Sequence, residues 1–136
     1  MAAYWPFTET LPDATPVEAE YGRIWRALPK VVFSSTLPGI DDPNTRLVHE
    51  DAAAEVARLK SEDGGSLDVG GATLAASLMR AGLIDEFGLY VQPVILGAGT
   101  PMFPHDFSLA GLRLKESRTF TSGVAYLRYA RTDPAT

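Results

Sequence analysis

The stretch LDVGGATLAASLMRAGLIDEF, residues 67–87, constrains the fold of this chain more than any other. A short apolar run ends in Gly70-Gly71, and helix-forming residues follow at once. The pattern predicts a strand over 66–70 and a helix over 72–81 that stops at Gly82. A strand end that faces a helix start is where open α/β sheets bind ligands. The N–H groups of Ala72, Thr73 and Leu74 have no partner within such a helix, and the helix dipole there favours an anion. Two glycines carry no Cβ, so a phosphate or a ring can approach the backbone closely. Thr73 adds a hydroxyl donor. A plain tight turn uses glycines equally well, and the pair by itself leaves both readings open. Gly70-Gly71 is followed by Ala-Thr-Leu-Ala, so the G-x-G-x-x-G fingerprint is absent and a standard dinucleotide-binding Rossmann unit is not predicted.

The rest of the chain alternates helices with strands. Thr15, Pro16 and Glu18 spell a helix start with a capping box, and Val17, Tyr21, Ile24 and Leu28 recur at helical spacing up to Pro29. Gly22 is the weak point of that helix. KVVFSS, 30–35, reads as a buried strand, TLPGIDDPN, 36–44, as a loop, and TRLVH, 45–49, as a strand. DAAAEVARLKSED, 51–63, reads as a second helix. EFGLYVQPVIL, 86–96, reads as one long strand, and GAGTPMFPHDF, 97–107, as a loop. LRLKESRTFT, 112–121, and VAYLRYARTD, 124–133, read as an antiparallel hairpin. The expected fold class is α/β: a three-layer sandwich with a mainly parallel sheet and an antiparallel C-terminal hairpin. At 136 residues, one domain over 1–136 is expected.

Composition excludes several functions. The net charge is −5 and no run of Lys or Arg occurs, so neither nucleic acid nor an anionic membrane surface is an expected partner. There is no cysteine, no basic-then-apolar leader and no apolar stretch near membrane-spanning length. A cytoplasmic location is the expectation. No metal is expected, because His49 and His105 stand alone and far apart in sequence. No G-x-S-x-G elbow exists for a serine hydrolase, and the acidic pairs Asp41-Asp42 and Asp85-Glu86 lack a partner for acid–base work. The early aromatics Tyr4, Trp5, Tyr21 and Trp25 are expected to pack.

The block VGGATLAASLMRAGLIDEFGLYVQPVILGAGTPMF resembles the dihydrofolate reductase-like fold. It is most similar to the reductase domain at the C-terminus of bacterial riboflavin-biosynthesis deaminase-reductases and its stand-alone relatives. KVVFSSTL resembles that family's K-x-V-x-S-x-T-L strand, and the likeness covers about residues 3 to 132. It implies an oxidoreductase that uses NADPH. Gly70, Gly71, Ala72, Thr73 and Leu74 match the family's pyrophosphate-holding loop and helix start. Ser34, Ser35 and Thr36 match the strand end beside the adenosine end of the cofactor. Gln92 and Pro93, with Leu96, Gly97 and Gly99 in the following bend, match the strand and loop near the nicotinamide and substrate. The family's Gly-Gly bond is often cis, and the resemblance implies the same here.

The family pattern also opens with a strand "V-x-x-S-x-D-G", a long helix and a strand followed by "G-R-x-T-Y". MAAYWPF matches the segment just after these, so an N-terminally shortened domain is expected. The carboxylate that helps protonate a pterin in dihydrofolate reductases lies in that opening part. No catalytic residue can be matched, and dihydrofolate is expected to be a poor substrate. Asp41 and Asp42 stand near the expected position of a 2′-phosphate, where like charge weakens binding by on the order of 1 kcal/mol per close contact. Arg46 and Arg80 are the nearby basic candidates. Two functions follow. One is an NADPH-dependent reductase of a small heterocyclic or sugar-derived substrate. The other is a non-catalytic shortened relative, a dimeric scaffold or degenerate nucleotide-binding module. A homodimer is expected in either case, because an incomplete sheet exposes an edge.

Overall fold

The computed structural model describes residues 5–132, with side chains from Phe7 onward. Tyr4, the side chain of Trp5 and residue 133 of the expected hairpin lie outside the described residues. The chain divides into two compact units, residues 1–51 and 52–136.

In the first unit a 3₁₀ segment, Trp5–Thr10, packs on helix α1, Pro16–Ala27. The capping box forms as the sequence predicts. Glu18 N–H donates to Thr15 Oγ1 at 3.2 Å, and Thr15 N–H donates to Glu18 Oε2 at 2.8 Å. Thr8 is fully buried and its hydroxyl donates to the Glu18 carbonyl at 3.1 Å. Glu9 takes ion pairs from Arg23 and Arg26 on α1. Gly22 is buried, whereas the apolar stripe of Val17, Tyr21, Ile24 and Leu28 stays largely exposed. At the other end of α1, Lys30 Nζ donates to the carbonyls of Trp25 and Leu28, at 2.8 and 2.9 Å. That cation satisfies two orphan acceptors where the dipole favours it. Strands β1, Lys30–Phe33, and β2, Thr45–Val48, pair in parallel from Lys30↔Thr45 to Phe33↔Val48. Between them Asp42 shapes the turn: it accepts the Asn44 N–H at 2.9 Å and the Thr45 hydroxyl at 2.7 Å.

In the second unit, helices α2, Ala52–Ser61, and α3, Ala72–Arg80, precede a three-stranded antiparallel sheet. Its strands are β3, Glu86–Val91; β4, Leu112–Thr119; and β5, Ala125–Arg131, in the order β3-β5-β4. The core is small. Leu78 and Met79 of α3, Phe87 of β3 and Ala130 of β5 are buried. Lys60 of α2 donates to the Leu83 carbonyl at 2.9 Å and pairs with Asp85, which joins α2 to the turn after α3. That turn is a Schellman stop. Leu83 N–H reaches the Leu78 carbonyl and Gly82 N–H the Met79 carbonyl, both at 3.0 Å. Gly82 sits at φ +70, which only glycine adopts without strain.

The α/β class stands, with a parallel pair and an antiparallel sheet. Two strand expectations do not hold. Residues 66–70 pair with no strand, and Leu67 and Val69 are exposed. Their alternation fits a strand, but a ladder needs a neighbour and none of the described residues supplies one. The long strand expected over 86–96 ends at Val91. Pro93 has no N–H to give a ladder, and the chain folds back on itself there, with Val94 N–H donating to the Gln92 carbonyl at 2.8 Å.

Candidate functional site

Three groups of predicted site residues can be placed. The first is the glycine junction. Gly71 is the N-cap of α3, at φ 96 and ψ 120, and no side chain caps the helix. The bond expected to be cis is trans. Gly71 instead turns the chain by taking a positive φ that residues with a Cβ rarely adopt. Ala75 N–H is the first to find a helical partner, the Gly71 carbonyl at 3.0 Å. The N–H groups of Ala72, Thr73 and Leu74 belong to the orphan first turn. A Cβ built on Gly70 or on Gly71 would meet nothing within 4 Å, so the backbone here is open. The first turn holds no acidic residue and the last turn holds Arg80, which suits the dipole and leaves the positive end unneutralised.

The second group is the end of β1. Ser34 donates its N–H to the Val48 carbonyl at 3.1 Å. Its hydroxyl accepts the N–H groups of Thr36 and Leu37, at 3.3 and 3.2 Å. Ser34 therefore builds the turn, and its oxygen is largely committed. Ser35 and Thr36 are exposed. His49 Nδ1 lies 2.6 Å from the Ser34 carbonyl, so this histidine, far from His105 in sequence, belongs to this strand end. Only the parallel register of β1 and β2 brings it there; the two residues are fifteen apart in sequence.

The third group is the loop after β3. Gln92, Pro93, Leu96, Gly97 and Gly99 are all exposed, with Gly97 and Gly99 at φ 71 and 143. Ile95 is 98% exposed and Leu96 77%, so the loop presents an apolar crest that includes Ile95, which the family pattern did not single out.

The charged candidates change character. Asp42 is a turn-building residue: the Thr45 hydroxyl first, then the Asn44 N–H, hold its carboxyl below the usual carboxylate range, and Lys30 stands 3.4 Å away. Arg80 lies at the far end of α3 from the glycines. Its Nε and Nη2 reach Asp106 at 3.1 and 2.6 Å, which holds the Asp106 carboxyl low. It does not stand at the glycine junction. Arg46 is on β2.

The family described as the RibD C-terminal domain matches residues 1–126. The chain belongs to that family. It is a reductase-type family, as the sequence resemblance implied. The chain is 34% identical to the uncharacterized protein YyaP of Bacillus subtilis (strain 168) over 113 residues, covering 82% of this chain and 60% of YyaP. It is 38% identical to the uncharacterized protein YwjB of the same organism over 101 residues, 74% of this chain and 58% of YwjB. The chain thus spans about three fifths of the length of these relatives. Among solved structures, a candidate riboflavin biosynthesis protein from Shewanella sp. PV-4 matches with a TM-score of 0.66 at 17% identity, over 94% of this chain and 86% of that one. That likeness shows a shared fold, in keeping with the RibD C-terminal, dihydrofolate reductase-like family that the match over residues 1–126 gives.

Proposed function

We propose that this RibD C-terminal-type chain binds NADPH and reduces a C=N or C=O bond of a small heterocyclic or sugar-derived substrate. One observation carries the reading: α3 starts bare, with open glycines before it and no acid in its first turn. Such a start is a ready anion site, and it lies within the sequence block that most resembles the family. Gly70, Gly71, Ala72, Thr73 and Leu74 hold the pyrophosphate through backbone N–H groups and the Thr73 hydroxyl. Ser34, Ser35 and Thr36 serve the adenosine end. Gln92, Pro93, Leu96, Gly97 and Gly99 serve the nicotinamide and substrate, with apolar contact that excludes water. When bound, the cofactor supplies the hydride, and the chain supplies binding and orientation. We place this activity in the cytoplasm, in a homodimer. The exposed stripe of α1 supports the dimer, which light scattering at micromolar concentration tests; a stable monomer refutes it.

Titration with NADPH by calorimetry tests the reading, with micromolar to sub-millimolar affinity expected. No binding at millimolar concentration refutes it. Dihydrofolate is expected to turn over far more slowly than an ordinary enzyme rate of roughly 1 per second; turnover at that rate refutes the substrate reading. A second reading, a dimeric scaffold or degenerate nucleotide module, is favoured by the same uncovered face of α1 and by the unpaired segment 66–70. It takes over if nucleotide fails to bind.

A further inference from the structure

We infer that His49 is the positioning residue of the hydroxyl turn at the end of β1, and so sets how tightly that turn holds the adenosine end of a nicotinamide dinucleotide. The inference rests on the dinucleotide reading above. β1 and β2 run parallel with Phe33 opposite Val48, which places Ser34 beside His49 just beyond the last ladder pair. Ser34 N–H makes the final ladder bond, to the Val48 carbonyl. In a continuing parallel ladder the Ser34 carbonyl would accept from the backbone N–H of residue 50. It takes the His49 ring instead, at 2.6 Å from Nδ1. A side chain thus replaces the next backbone rung, and the two strands are free to part.

A carbonyl oxygen only accepts, so Nδ1 carries the proton in this bond whatever the charge of the ring. The residue it grips is the hub of the turn. Ser34 uses its N–H on β2, its carbonyl on His49, and its hydroxyl on the N–H groups of Thr36 and Leu37. With all three groups engaged, Ser34 is fixed, and Ser35 and Thr36 are held exposed at the carboxyl ends of two parallel strands. Loss of the ring releases the carbonyl and lets the turn rotate about its remaining bonds.

The test uses the full chain with His49→Ala and His49→Asn. The amide N–H of Asn reaches about where Nδ1–H sits, so Asn keeps the grip and discards the rest of the ring. NADPH affinity is measured by calorimetry, and folding by melting temperature. We expect His49→Ala to weaken NADPH binding about tenfold, the scale of one lost hydrogen bond, with His49→Asn within about threefold of the wild type. Melting temperatures should stay close in all three. Wild-type affinity in both variants overturns the inference and leaves the dinucleotide reading standing. Equal weakening in both also overturns it, because the ring would then be acting by some route other than the Ser34 carbonyl. Failure of the wild type to bind NADPH overturns the dinucleotide reading, and the inference falls with it.

Discussion

Helix α1 starts with Thr15 and Glu18 closing a reciprocal pair of hydrogen bonds around Pro16, so two of its orphan N–H groups are satisfied by its own side chains. Helix α3 starts with Gly71 and no side-chain cap. Both helices are amphipathic and similar in length, and both stop at well-made C-termini, α1 on Lys30 and α3 on a Schellman turn. The difference is confined to one end of one helix. Of the four ends of these two helices, three are closed by the chain's own groups; the fourth carries a glycine in place of a side-chain cap, which forgoes a few tenths of a kcal/mol, on the order of 0.3. The bare end is intelligible if a ligand fills it.

The largest expected effect breaks this comparison directly. Gly71→Val places a β-branched side chain at φ 96, facing the space now open in front of the helix. NADPH affinity should fall by about a hundredfold or more, roughly 2.7 kcal/mol, and folding stability by about 1–2 kcal/mol. Calorimetry reads the first and urea unfolding the second. A variant that binds like the wild type would make the glycines a turn and nothing more.

Gly82→Ala supplies the control at the opposite end of α3. Gly82 also holds a positive φ, and a Cβ there would meet Arg131 Nη1 at 3.7 Å, an ordinary contact. The cost is therefore backbone strain alone, about 1–2 kcal/mol of stability, with nucleotide affinity unchanged. Thr15→Ala should cost about 1 kcal/mol, the usual worth of an N-cap, again with unchanged affinity. If Thr15→Ala weakens NADPH binding, the two helix starts are not independent and the contrast loses its meaning.

The start of α1 was legible because capping is local: Thr15, Pro16 and Glu18 lie within one turn, and the sequence spacing is the geometry. The Gly-Gly junction was legible for the same reason, although its peptide geometry was not. Trans and cis bonds both accommodate two glycines, and the sequence carries no signal between them. The strand over 66–70 failed because a strand depends on a partner elsewhere in the chain. Alternation along one segment has no bearing on whether a partner is present; Leu67 and Val69 alternate correctly and still lie exposed. The 86–96 run failed at Pro93, which the rule against proline in ladders signals. His49 was invisible as a site residue because its bond to Ser34 depends on the β1–β2 register, a non-local fact.

The smallest effect expected concerns the well-made end of α3. Arg80 holds the Asp106 carboxyl below the usual carboxylate range. Asp42 is held low by the Thr45 hydroxyl and the Asn44 N–H, and Glu116 by Arg118. For each, the folded pKa lies below the unfolded one, so near pH 4 the unfolded chain binds more protons. Their contribution is complete at neutral pH and declines as pH falls through the lowered folded values. Stability should hold from pH 7 to about 5 and drop below about 4. All three carboxylates are solvent-screened, so the drop should be modest. Arg80→Gln removes the Asp106 share, and urea midpoints at a series of acidic pH values should show a shallower decline than in the wild type. NADPH affinity at neutral pH should not change, because residues 72 and 80 are separated by about 12 Å of helix rise. A decline of equal steepness in the variant would show that the ion pair adds nothing, leaving Gly82 and the Schellman bonds as the whole of the helix stop. A loss of affinity would show that the charge at the finished end of α3 reaches the bare one, and the two ends could no longer be assigned separate roles.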